Sequence, residues 1–245
     1  MNRPREFTVA SNGRVLRHRM GHYDRATGDL LQLEEEVENG RIRVTDLEYE
    51  ANGNIKRVIG PANERGQRYT VDFTYDQEVS TCITAITDSF GYQSTAAYDY
   101  RYGVETVTVD LNGNTMRKEY DDFGRLRRVF GPYDQLIPAV DFTYYHTELP
   151  ARAVTKNKVH FDSDNAETLV TVLFIDGLKR VIQTKKEGEV QETGAFGSSY
   201  GMNVTGKVSF DAFGRMVEQG QPVFTRGYDE QWADVAMKNP TRNRV

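Results

Sequence analysis

Several stretches carry residue types that could do chemistry. Gly201-Met202-Asn203-Val204-Thr205-Gly206-Lys207 has the glycine and lysine spacing of a phosphate-binding loop. Such a loop needs Ser or Thr after the lysine, to reach Mg²⁺, and then a helix. Val208 follows instead, and Ser209-Phe210-Asp211 continues into an extended pattern. Asp162-Ser163-Asp164-Asn165-Ala166-Glu167 imitates a calcium loop. An EF-hand places Gly sixth and Glu twelfth, whereas Glu167 and Leu173 stand there, so a solvated hairpin turn is expected. His18, His22, His146 and His160 lack zinc-site spacing. His18 and His22 are four apart, but their surroundings are not helical. Scattered Ser and His without a nucleophile elbow give no triad. Recurring Asp beside Gly suggests the paired carboxylates of glycoside hydrolysis, yet these Asp share one place in a repeated turn. A structural role covers them all. Asn203-Val204-Thr205 is a formal glycosylation sequon and nothing more is built on it. No residue is nominated as catalytic, cofactor-binding or metal-binding. No cofactor and no enzymatic activity are expected.

The elements that would position such residues are strands. Of 245 residues, 14 are Tyr, 12 Phe, 21 Gly and one Trp, with aromatics and Thr/Val in short alternating runs. That is an all-β composition. At 38% hydrophobic and 27% charged the chain is long enough to bury a sizeable core. The 31 basic and 36 acidic residues leave a net charge of −5, which disfavours nucleic acid as a partner. Cys82 is alone, so no intrachain disulfide forms, and Thr81-Cys82-Ile83-Thr84 reads as a strand with Cys82 a small buried hydrophobe. No apolar stretch approaches a membrane span, and residues 1–15 have no signal-peptide pattern. The chain is expected to be a piece of a longer polypeptide.

Along the chain, Phe7-Thr8-Val9 and Val15-Leu16 suggest short strands about a Ser11-Asn12-Gly13 turn within a lead-in, 1–22. A repeat sheet then spans 23–227, and 228–245 reads either as a short helix, around Trp232, Val235 and Ala236, or as a truncated tail. Asn39-Gly40 reads as a hairpin. Glu187-Gly188-Glu189 reads as a turn, and 194–201 as a Gly/Ser-rich loop. Four units share one pattern: Tyr23-Asp24-Arg25-Ala26-Thr27-Gly28-Asp29-Leu30, Tyr49-Glu50-Ala51-Asn52-Gly53-Asn54-Ile55, Tyr120-Asp121-Asp122-Phe123-Gly124-Arg125-Leu126, and Phe210-Asp211-Ala212-Phe213-Gly214-Arg215-Met216. Arg57-Val58-Ile59-Gly60-Pro61 followed by Val71-Asp72-Phe73-Thr74-Tyr75 recurs as Arg128-Val129-Phe130-Gly131-Pro132 and Val140-Asp141-Phe142-Thr143-Tyr144, at nearly the same offset. This is internal duplication.

The residue types explain the pattern. Gly28, Gly53, Gly124 and Gly214 supply positive φ in a tight turn. The preceding Asp bonds its own backbone. Tyr23, Tyr49, Tyr120 and Phe210 end a strand and are expected to pack along neighbouring copies as an aromatic ladder, with Tyr75, Tyr98, Tyr144 and Phe174 as further anchors. One hairpin is too small to stand alone, so stacking covers its open edges.

The pattern resembles the YD-repeat (Rhs) family, whose unit runs roughly Tyr-Asp-x-x-Gly-Arg-Leu. Tyr120 to Leu126 fits it throughout, including Arg125; the Phe210 unit, with Arg215, fits with conservative changes. The likeness extends diffusely over about 23–220. The irregular spacing, and the run from Phe210 to Val223, are most similar to the B component of bacterial toxin complexes and SpvB-like proteins. That resemblance implies repeated antiparallel hairpins forming one continuous curved sheet, a segment of a hollow shell. In the family the shell encloses an unfolded toxic polypeptide before delivery. The implied partners are neighbouring repeat segments, a C-type shell component and the enclosed toxin; the implied location is secreted or at the cell surface. The family's aspartyl-protease core and C-terminal toxin have no match here. The other reading is a cell-surface adhesion module whose exposed Tyr stack on glycans.

Overall fold

The computed structural model describes residues 3–37, 40–134, 136–160, 166–191, 197–205, 208–235 and 241–242. Among these there is no α-helix, and the regular elements are strands. The chain divides into two compact units between Thr115 and Met116.

The first unit is an antiparallel meander: β1 (Glu6–Ser11), β2 (Arg14–Tyr23), β3 (Leu30–Glu36), β4 (Ile42–Tyr49), β5 (Ile55–Ala62), β6 (Arg68–Tyr75), β7 (Ile83–Asp88), β8 (Gln93–Asp99) and β9 (Val104–Val109). The β1–β2 turn places Asn12 and Gly13 at φ of 50° and 75°, the two positive values a tight hairpin needs. Strand alternation sorts side chains into two faces. Glu48, Arg57 and Asp72 lie in register on one face of β4, β5 and β6; Leu47, Val58 and Val71 lie in register on the other. Arg57 pairs with Asp72 and reaches Glu48, so the charged face is a ladder of opposite charges.

The second unit repeats that device. It contains β10 (Thr115–Tyr120), β11 (Leu126–Phe130), β12 (Val140–Tyr145), β13 (Ala151–Lys158), β14 (Thr168–Ile175), β15 (Val181–Gln191) and β16 (Ser198–Thr205) in meander order. Then come β17 (Val208–Phe210), β18 (Met216–Gln219), β19 (Val223–Arg226) and β20 (Thr241–Arg242); β19 pairs with β16, while β17, β18 and β20 form a small sheet of their own. Arg128 stands between Glu119 and Asp141, 3.4 Å and 2.9 Å away, as Arg57 does between Glu48 and Asp72. The duplicated RV[IF]GP and VDFTY motifs therefore encode a three-strand charge ladder twice. Within each unit the fold is the all-β, antiparallel hairpin sheet expected from the sequence.

The described core sits in the second unit. Val154, Val170, Val172, Phe174 and Met202 form a buried cluster flanked by Tyr145, Ile182 and Trp232. Register shows that this cluster is a continuation of the ladder face: Arg128 opposes Asp141, Asp141 opposes Lys156, and Lys156 opposes Val170. From there Val172, Phe174, Gln183 and Lys185 point to the same side. The segment 227–235 covers it. Trp232 meets Phe174 edge-on at 5.4 Å. Gln183 donates to the Ala233 carbonyl and accepts from the Ala233 N–H, while Lys185 donates to the Asp229 carboxylate and the Gln231 carbonyl.

That strap replaces the helix expected around Trp232 and Val235, at least over 228–235; Ala236 lies outside the described residues. Its backbone groups are met by Gln183 and Lys185 across the sheet, so no helical ladder is required. The expected Glu187-Gly188-Glu189 turn is also corrected: it lies inside β15, with Gly188 opposite Gly201. Likewise, 198–201 belongs to β16, not to a loop, while 194–196 lies outside the described residues. These glycines serve close approach instead of bending. A Cβ at Gly201 would run into the Thr225 carbonyl oxygen, and one at Gly188 would stand 2.9 Å from the side-chain Nδ2 of Asn203.

Glycine substitutions separate the two uses. Gly113, at φ of 81° with open space around it, should lose about 1 kcal/mol as Gly113→Ala through backbone conformation alone. Gly201→Ala should cost several-fold more, or block folding of the second unit, because backbone must move. Urea denaturation of both variants measures the contrast.

Candidate functional site

A hairpin end leaves amides without strand partners, and this chain meets them with a carboxylate. At the β10–β11 turn, Asp121 Oδ1 accepts the Phe123 and Arg125 N–H groups at 3.0 Å and 2.9 Å. Its Oδ2 accepts Arg125 Nε at 2.7 Å. The Asp121 N–H donates to the Arg125 carbonyl, the Gly124 N–H donates to the Asp121 carbonyl, and Gly124 sits at φ of 74°. Asp211, Gly214 and Arg215 repeat this geometry at the β17–β18 turn. Glu50 and Gly53 keep the backbone pattern, with Asn54 in the arginine position and Gly53 at φ of 91°. Asp24 accepts from Ala26 and Thr27, and its extra residue moves the closing bond to Asp29.

Sequence reasoning missed a full copy at Asp176. Its carboxylate accepts the Leu178 and Arg180 N–H groups and Arg180 Nε. Here Lys179, not Gly, takes the positive φ, at 62°. The Asp-to-Arg spacing of four was the available signal. Asp88 and Asp110 hold the same turn with Tyr92 and Asn114 in the arginine position, and Asn63 does so with Gln67. Asp76 goes furthest. Only 6% exposed, it accepts backbone N–H groups from Glu78, Val79, Ser80, Thr81 and Cys82. Asp176 and Asp211 are held below the ordinary carboxylate range, first by the N–H of Arg180 or Arg215 and then by its guanidinium. At Asp121, burial pushes upward, but the bonds from Arg125 and Phe123 outweigh it. At Asp76, burial is likewise outweighed by four backbone N–H groups, and the carboxyl falls to about 2.

The anchors join one hairpin to the next. Tyr49 donates its hydroxyl to the Leu30 carbonyl, Tyr75 to Ile55, Tyr98 to Ile83 and Tyr144 to Leu126, at 2.7–3.0 Å. Tyr23 donates to Pro4. Leu30, Ile55 and Leu126 are the residues two past the turn glycine. The aromatic of one unit therefore bonds the aliphatic position of the unit before it. At Tyr49, Tyr75 and Tyr144 the link to the preceding unit is a hydroxyl-to-carbonyl contact, and the Tyr144 ring also stacks on Phe142 of its own strand at 6.4 Å. Arginine adds a second link: the Arg125 guanidinium lies 4.4 Å from the Tyr144 ring centre, and Arg180 lies 3.9 Å from that of Phe210. Phe210 has no hydroxyl, so the arginine contact stands in for it. Tyr120 closes β10 opposite Leu126. Burial raises the hydroxyls of Tyr49, Tyr75 and Tyr144 above the ordinary tyrosine range.

The residues singled out for chemistry are dispersed. Gly201–Thr205 lies in β16, and Gly206 and Lys207 lie outside the described residues. Asp162 to Asn165, and Asn39 of the proposed hairpin, are also outside them. His18 and His22 both lie on β2, His146 follows β12, and His160 pairs with Glu167 at 3.5 Å. Among the described residues, no group of His, Cys, Asp and Glu is arranged to hold a metal ion, and no helix is long and apolar enough to cross a membrane.

The antiparallel hairpin fold has solved counterparts. The chain shares the fold of toxin-complex chains. It superposes on TcdB2-TccC3 with a TM-score of 0.59 at 15% identity, over 86% of this chain and 13% of that one. On TcdB2-TccC3 without its hypervariable C-terminal region the TM-score is 0.63 at 12% identity, over 86% and 17%. On the Photorhabdus luminescens Tc holotoxin pore it is 0.62 at 12% identity, with the same coverages. The chain thus spans less than a fifth of the length of each of these chains. No family model and no curated protein matches the sequence.

Two measurements test the staples and turns. Tyr144→Phe should cost about 1 kcal/mol in urea denaturation, the worth of one hydrogen bond, since the ring and its arginine contact remain. A carboxyl with a lowered folded pKa adds stability above its unfolded value and loses it as pH falls through the folded value. For Asp76 that window runs from 3.8 down to about 2. The contribution of Asp76 to the unfolding midpoint should therefore stay level from neutral pH to about 5 and drop below about 4. Asp76→Asn should flatten part of that drop and speed amide exchange at Ser80 to Cys82 about tenfold at neutral pH.

Proposed function

We propose that this chain is a structural segment of a toxin-complex-like β-shell that encloses a toxic polypeptide before delivery. Its role is containment, without chemistry on the guest. The observation that carries this reading is the shared fold over 86% of the chain with short stretches of much longer toxin-complex chains. The turn and staple support it, because each unit bonds the one before it, as a wall of indefinite length requires. Its partners would be adjoining repeat segments, a C-type shell component and the enclosed chain, in a secreted or cell-surface assembly.

The test is electron microscopy of the native assembly, combined with protease challenge. This sheet should line a closed cavity, and a polypeptide inside should survive protease that degrades it once the shell is opened. A sheet lying outside any enclosure, or a guest digested at the same rate in either state, would overturn the reading. Exposed aromatics at turn tips, Phe90, Phe123 and Phe213, favour glycan adhesion as the second reading. Saturable binding on a glycan array, lost in Phe123→Ala or Phe213→Ala, would decide for it.

A further inference from the structure

His18 sits on the middle strand of the first three, with a carboxylate at each ring nitrogen. Glu6 Oε1, from β1, is 3.0 Å from Nε2. Glu36 Oε2, from β3, is 3.3 Å from Nδ1. A neutral imidazole has one N–H and one lone pair, so it satisfies one carboxylate and turns a lone pair toward the other. Imidazolium has two N–H groups and satisfies both. The arrangement therefore suits the protonated ring. Histidine is the side chain whose ordinary change of charge lies near neutrality.

We propose that His18 is a proton-operated latch that fastens β1 to the rest of the first unit. Within the first unit strand β1 pairs with β2, and all six of its residues are exposed, so little apolar burial holds it there. Within that unit the Gly21 N–H also bonds the Arg5 carbonyl and the Tyr23 hydroxyl bonds Pro4, both just before β1. The charged groups facing His18 are Glu6 on β1 and Glu36 on β3, with Glu34 next along β3 and already taken by His22 at 3.1 Å. Arg17 and Arg19 flank His18 on its own strand and point to the opposite face, where Arg19 pairs with Glu35. No cation competes for Glu6 or Glu36 in the described contacts. His22 links β2 to β3 only, so it supplies an internal comparison.

The test is amide exchange of β1 in the whole chain, corrected for intrinsic rates, at about pH 5.5 and 7.5. Protection of Thr8 to Ala10 should be about fivefold higher at the lower pH in the native protein and in His22→Gln. His18→Gln and Glu6→Gln should remove that difference while leaving the β4–β6 amides unchanged. Nitrogen NMR of the His18 ring should show both nitrogens protonated at the lower pH. Equal β1 protection at the two pH values in the native protein, or an undiminished difference in His18→Gln, would overturn the latch.

Discussion

The carboxylate that accepts the amides of its own turn is the interaction on which the sheet depends. An antiparallel meander must reverse direction every few residues, and each reversal strands N–H groups. Asp121, Asp176 and Asp211 absorb two of them and an arginine Nε in one side chain. The charge-assisted bonds are stronger than neutral ones. With the turn fixed, strand register follows, and with register come the charge ladders of Arg57 and Arg128. The arginine then does a second task, covering the next unit's aromatic at Tyr144 or Phe210. This explains why Asp, Gly, Arg and an aliphatic residue recur together. One bends the chain, one allows the bend, one bridges forward, and one offers the carbonyl that the next tyrosine bonds.

Much of this was legible in the sequence. Turn glycines, the preceding acid and the duplicated VDFTY motif each have a local cause, so spacing exposes them. What stayed hidden depends on partners far along the chain. The Asp176 turn escaped because Lys179 occupies a conformation usually left to glycine. The strap escaped because Gln183 and Lys185 satisfy its backbone from some fifty residues away. Gly188 and Gly201 were misread because glycine marks both bends and tight approach between strands, and the composition of a short window does not separate them. The anchors were recognisable as tyrosines at a regular interval, but only the folded chain shows that the hydroxyl forms the contact.

The likenesses to metal, nucleotide and triad motifs share one source. In strands of a half-exposed sheet, polar residues recur on a fixed period, and short windows of that period imitate motifs. His18 and His22, four apart on β2, face the same side of one strand and are engaged by different carboxylates. Their meaning lies in what neighbouring strands bring opposite them.

The register running from Arg128 through Asp141 and Lys156 to Val170 has a further consequence. One side of a single sheet begins wet and ends dry, with no change in strand direction. A covering segment of a few residues suffices to make the exchange. Sidedness in such a sheet is thus a local attribute, set strand by strand. Covered and open faces can trade places along one ribbon, and such a sheet can alter what it presents without altering its strand pairing.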